Sequence, residues 1–164
     1  MNKRFGFETE LYETLSCLPL AARHRLDTIG IKVHIKQWLA FDRNERLAIC
    51  AAPADTEAEL EALSEFVVNL IAERCGEEPT FLPPDQRIQA ISLSRLPAYI
   101  AAQAGTLGYA LDDERWETLD SDQRYALLKF GGDDRRRHKF AAAMREFFGS
   151  AELNVGVPTA SAAQ

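Results

Sequence analysis

The sequence predicts an all-α fold made of two copies of a multi-helix unit packed around one core. Three observations carry this. Residues 30–55, GIKVHIKQWLAFDRNERLAICAAPAD, return 78 positions later as residues 108–133, GYALDDERWETLDSDQRYALLKFGGD. In that register, without gaps, Leu15, Ser16, Leu18, Pro19, Thr28, Gly30, Trp38, Asp42, Arg46, Ala48 and Asp55 are identical in the partner copy, and both tryptophans fall on matching positions. Apolar residues recur at helical spacing in most segments, and none shows convincing strand alternation with hairpin turn signals.

The elements follow in order. Residues 5–17 read as a first helix, with Leu11, Leu15 and Leu18 at helical spacing and Glu8, Glu10 and Glu13 opposite. Pro19 then opens a second helix, since proline has no N–H to lose and a helix-compatible φ. Leu20, Leu26 and Ile29 form its apolar side, and Gly30 stands where a left-handed cap is wanted. Pro97, Ile100, Ala104 and Gly108 repeat the scheme. A short helix carrying the tryptophan follows each glycine, near residues 35–40 and 113–118. Asp112 is a good N-cap for the second of these and His34 a poorer one for the first.

The next helices open with Asp42-Arg-Asn-Glu45 and Asp120-Ser-Asp-Gln123. Each places an acceptor at the N-cap and Glu or Gln three residues on, as in a capping box. Asp42–Arg46 and Asp120–Arg124 stand four apart and are within reach across one turn. An arginine kept in both copies is expected to orient the junction between neighbouring helices. Pro53 and Gly131-Gly132 end these helices. Thr56 to Glu59 caps the longest helix, to about residue 74, with Leu60, Leu63, Val67, Leu70 and Ile71 as its stripe. Its counterpart spans about residues 134–148, with Phe140, Met144, Phe147 and Phe148.

Residues 1–149 are thus expected to form a single helical domain of two repeats, about 15–75 and 93–149. Residues 76–92, with three prolines and a glycine, read as a linker, and 150–164 as a disordered tail. The structural core is assigned to Pro19, Gly30, Trp38, Arg46, Pro97, Gly108 and Trp116. The tryptophans are expected to pack near a pseudo-twofold axis between the halves.

Composition narrows the function. A chain of 164 residues with 46% apolar content supports a packed core. Its net charge of −6 argues against a general nucleic-acid binder. No apolar run approaches the roughly 18 residues of a membrane span, and the charged N-terminus lacks a signal-peptide segment, so a cytoplasmic location is expected. Cys17, Cys50 and Cys75 form no CxxC pair, which argues against a disulfide framework or a zinc cage. The three histidines are scattered, and His24 and His34 read as surface residues. No phosphate loop, GxGxxG or GxSxG is present. Cys17 lies just before a helix start, where a thiolate can be stabilised, but no sequence neighbour supplies a base. The acidic stretch 56–78 and the basic cluster 135–139 read as solvated helix faces. No catalytic residue, metal ligand or cofactor is expected.

The first copy, Cys17-Leu-Pro-Leu-Ala-Ala-Arg23, Arg25-Leu-Asp27, Gly30-Ile-Lys32 and Gln37-Trp38, resembles the nitrate reductase-associated protein family. Trp116, Leu119, Gln123-Arg-Tyr-Ala-Leu127 and Lys129 resemble it in the second half. In the middle the likeness runs through Glu73-Arg74, Gly76-Glu77, Pro79 and Leu82-Pro83. Known chiefly through cyanobacterial members, the family is needed for active assimilatory nitrate reductase, a molybdenum and iron–sulfur enzyme of the cytoplasm. The resemblance implies a non-catalytic accessory protein that acts by binding that reductase. On that reading the surface to inspect lies near Cys17, Arg23, Asp27 and Lys32, with Arg124 and Lys129 on the matching face of the second copy. Structural ion pairing within the repeat is the competing account of these charges. Two other readings stand beside it: a small-molecule or metal binder using the cleft between the halves, and an enzyme with a cysteine nucleophile.

Overall fold

A computed structural model of the protein describes residues 4–86 and 93–151. Among these, nine α-helices dominate: α1 Thr9–Thr14, α2 Leu20–Ile29, α3 Ile35–Ala40, α4 Arg43–Ala51, α5 Glu57–Cys75, α6 Ala98–Thr106, α7 Asp113–Glu117, α8 Ser121–Gly131 and α9 Arg137–Phe148. Residues 87–92 and nearly all of the expected tail lie outside the described residues.

The first helix is shorter than its spacing predicts. After a 3₁₀ turn at Gly6–Glu8, α1 stops at Thr14 because Leu15 takes a left-handed conformation, φ 50°, with its N–H on the Leu11 carbonyl. A leucine there is strained. Its side chain is fully buried and its carbonyl accepts the Trp38 indole N–H at 2.8 Å, so the surroundings hold it. Cys17 therefore sits on an exposed connector and not at a helix end.

Pro19 opens α2, and Gly30, φ 72°, ends it by accepting the left-handed backbone that a side chain resists. In the second half, α6 ends at Thr106, and Gly108 comes two residues later. The capping boxes form in both copies: Asp42 and Asp120 accept from the N–H of Glu45 and Gln123, whose side chains accept from the N-cap N–H in return. His34 also caps reciprocally with Gln37, whose Oε1 accepts the His34 N–H at 3.0 Å.

Two expectations need correction. The stretch read wholly as linker is stitched to the first half at its start. Thr80–Phe81 (β2) pairs antiparallel with Ile31–Lys32 (β1), and Leu82 N–H donates to the Gly30 carbonyl at 2.8 Å. Strand alternation cannot announce a ladder of two residues per side. The single shared core is, instead, two clusters. Trp38 packs with Tyr12, Leu15, Ile49, Val67 and Ile71, whereas Trp116 packs with Ile100, Leu127, Phe140 and Met144. Both indoles are fully buried, but each is tied within its own cluster by its N–H, Trp38 to Leu15 and Trp116 to Leu93.

What separates the clusters is a polar seam between α2 and α8. Asp27 accepts the Tyr125 hydroxyl at 2.5 Å and pairs with Lys129 at 2.9 Å. His24 Nδ1 sits 2.7 Å from Asp122, and its ring stacks on Tyr125 with centroids 4.6 Å apart. The surface reading of His24 is thus corrected: only 13% of its side chain is exposed, because α8 covers it. Arg25 is buried beside it and donates to the Ala52 and Ala21 carbonyls. The N-terminal segment crosses the seam, since Phe5 and Phe7 pack on Phe130 and Phe147 of the second half.

Candidate partner-binding cleft

The bend at Leu15 and the start of α2 form one wall of a cleft, and α8 with α9 form the other. Its volume is about 500 Å³. The floor is apolar: Phe7, Leu11, Leu18, Leu20 and Phe130. Around it stand Arg23, Lys129, Arg136, Lys139 and His138, against Glu8 and Glu10. A chain of net charge −6 has thus gathered four basic side chains at one opening, two of them already paired, Lys129 with Asp27 and Arg136 with Asp133.

Local chemistry fixes the wall. Arg23 Nε donates to the Leu18 carbonyl at 3.1 Å, which holds the guanidinium beside the connector. Lys129 is held by Asp27. Glu8 accepts the Leu20 N–H at 2.9 Å through Oε1 and so caps α2 from a distant segment. Its other oxygen, Oε2, is buried without a hydrogen-bond partner among the described residues. Burial pushes the Glu8 carboxyl above the usual range, while the Leu20 N–H and Arg23 pull against that rise.

Of the residues singled out from the sequence, Cys17, Arg23 and Lys129 line this cleft, and Asp27 adjoins it through Lys129. Lys32 is not among its lining residues; it is exposed on β1. Arg124 is engaged elsewhere: its guanidinium donates to the carbonyls of Trp116, Leu93 and Glu117, each at 3.1 Å. Arg46 makes the same three contacts in the first half, with Trp38, Leu15 and Leu39, and spends itself on carbonyls and not on Asp42. Pro19 and Pro97 are the N-caps of α2 and α6. Sequence reasoning missed Glu8, Phe7, Arg136 and Lys139. The basic run 135–139 was the available signal, but only the packing of α9 shows that part of it turns toward a groove.

Nothing in this arrangement assembles a nucleophile with a base. Cys17 is exposed, and no hydrogen bond joins it to His138 among the described residues. Cys50 is buried, and desolvation pushes its thiol up to about 11. Among the described residues no group of three metal-binding side chains converges, and no helix is long and apolar enough to cross a membrane.

A second hollow of about 500 Å³ opens on the seam, lined by Arg4, His24, Arg25, Thr28, Asp55, Ser121 and Asp122 among others.

Comparison with known protein families gives a match over most of the chain. The model of the family described as conserved nitrate reductase-associated protein covers residues 4–147. No curated protein and no solved structure matches the chain.

Proposed function

We propose, from the premise that this chain belongs to the conserved nitrate reductase-associated protein family, that it is a non-catalytic accessory protein. It binds a cytoplasmic assimilatory nitrate reductase and supports that enzyme's activity, maturation or stability. The observation that carries this reading is the span of the family match, which runs through both halves. Recognition is by surface contact. Arg23, Lys129, Arg136 and Lys139 meet carboxylates of the partner, and the floor of Phe7, Leu11, Leu18 and Phe130 takes apolar side chains between them. Cys17 and Asp27 belong to this surface. Arg124 acts behind it by holding α7 and α8 together, and Lys32 lies on a different face.

We also read the chain as a doubled helical unit. Supporting this are the equal spacing of Trp38–Leu15 and Trp116–Leu93 and the matched grips of Arg46 and Arg124. Each grip ties a tryptophan helix to the helix after it and to the chain before it.

The test is association with the reductase of the same host, by light scattering and pull-down, with R23E/K139E as the comparison. Binding at micromolar concentration, weakened in the variant and by salt, supports the reading. No complex, together with unchanged reductase activity in a deletion strain, rejects it. A second reading, a small-molecule binder, draws on the hollow beside the buried Arg25. It predicts a large thermal shift with one anionic metabolite.

A further inference from the structure

The helices α3 and α7 are two versions of one device. Each buries its tryptophan, and each tryptophan N–H reaches a carbonyl 23 residues earlier. Each tryptophan carbonyl accepts from a main-chain N–H three residues on, Phe41 in one and Leu119 in the other, both at 3.2 Å. The outward positions therefore correspond, and α7 carries Asp112, Asp113, Glu114 and Glu117 there, all exposed, while its exposed Arg115 stands where α3 has the buried Gln37. At the matching positions α3 has His34, Ile35, Lys36 and Leu39. Ile35 is 49% exposed and Leu39 50%, four residues apart on one face. The acidic, well-solvated surface of one helix is replaced in the other by an apolar pair edged with cations.

Single exposed hydrophobics are ordinary. A pair on one helix face, where the same scaffold elsewhere carries carboxylates, is not explained by scatter. The flanking charges indicate what covers it. Lys32 and Lys36 are exposed and have no ion-pair partner among the described residues. A second copy docked α3 to α3 would set these lysines against each other, which is unfavourable.

We infer that the outward face of α3 is a docking surface of its own, and that its occupant is an apolar ridge edged with carboxylates on the reductase. This rests on the reading that the chain binds nitrate reductase. Ile35 and Leu39 supply the water-excluding contact, and Lys32 and Lys36 supply register and rate of encounter. The surface is distinct from the α2–α8–α9 cleft, so the chain meets its partner through two elements.

The experiment measures binding of purified host nitrate reductase to four proteins: wild type, I35D/L39E, K32E/K36E and the control D113A/E117A. The first variant gives α3 the residues that α7 already carries, so the fold is expected to survive, as read by circular dichroism and thermal midpoint. The expected result is a loss of affinity of about tenfold or more for I35D/L39E. A smaller, salt-sensitive loss is expected for K32E/K36E, with no change for the control. Equal binding by wild type and both α3 variants overturns the inference and leaves the reductase reading intact. No binding by the wild type removes both. A wild type that sediments as a dimer, made monomeric by I35D/L39E, assigns the face to a second copy and overturns it as well. If I35D/L39E fails to fold, K32E/K36E decides alone, because it changes only exposed residues.

Discussion

Replacing Arg46 with alanine should cost about 2–3 kcal/mol of stability. The guanidinium donates three hydrogen bonds, at 2.9 Å to the Trp38 carbonyl, 3.3 Å to Leu15 and 2.8 Å to Leu39. Hydrogen bonds from a charged donor contribute about 1.5–3 kcal/mol each, so three give a gross figure of about 4.5–9 kcal/mol. Two facts lower it. The side chain is half-buried, so water competes for it. Two of the three carbonyls also keep another donor, since Leu15 retains the Trp38 indole and Trp38 retains the Phe41 N–H. What disappears is the clamp joining α3 to α4 and to the strained Leu15. Urea denaturation followed by circular dichroism reads the change, with an unchanged m-value confirming that stability alone has moved. R46K should keep about half, because one ammonium nitrogen cannot stand at the three places that Nε, Nη1 and Nη2 occupy. R124A, which breaks the matching clamp, should lose a similar amount. A loss below about 0.5 kcal/mol for R46A, or a large difference between R46A and R124A, would refute the reasoning.

Two further outcomes follow from packing and from charge. A Cβ at Gly131 would overlap Ile100 Cδ1 and crowd Phe140, so G131A should destabilise by about 1–3 kcal/mol, and I100V should restore part of this in the double mutant. Burial raises the Glu8 carboxyl in the folded state, so the fold binds the proton more tightly than the unfolded chain. The contribution of Glu8 is then full below the ordinary glutamate range and is lost as pH rises through the folded value. Wild type should therefore lose stability relative to E8Q as pH rises from about 4.5 toward neutrality, and parallel profiles for the two would contradict this assignment.

Much of the fold was legible because local chemistry fixes it. Pro19 and Gly30 bracket α2, and Asp42 with Glu45 and Asp120 with Gln123 start α4 and α8. Those signals act within four residues. What the sequence did not disclose depends on distant partners. Leu15 looks like part of a helical stripe, and only the Trp38 and Arg46 contacts show why the chain turns there. His24 between two arginines reads as surface until Tyr125 is stacked on it. The equivalence of the two tryptophans invites a shared core, yet the polar side chains of α2 and α8 lie between the clusters and their roles appear only when the helices meet. The cleft is a product of the same meeting. Its cations come from α2, α8 and the start of α9, and no stretch of the sequence holds them together.

We propose that this protein, a member of the conserved nitrate reductase-associated protein family, works by holding nitrate reductase and not by chemistry of its own. The most direct measurement is sedimentation velocity on a titration of the purified host reductase with the full chain at physiological salt. A saturating complex of fixed stoichiometry, with a Kd of about 1 μM or below, is the predicted result. Independent boundaries up to about 100 μM of the chain would contradict it.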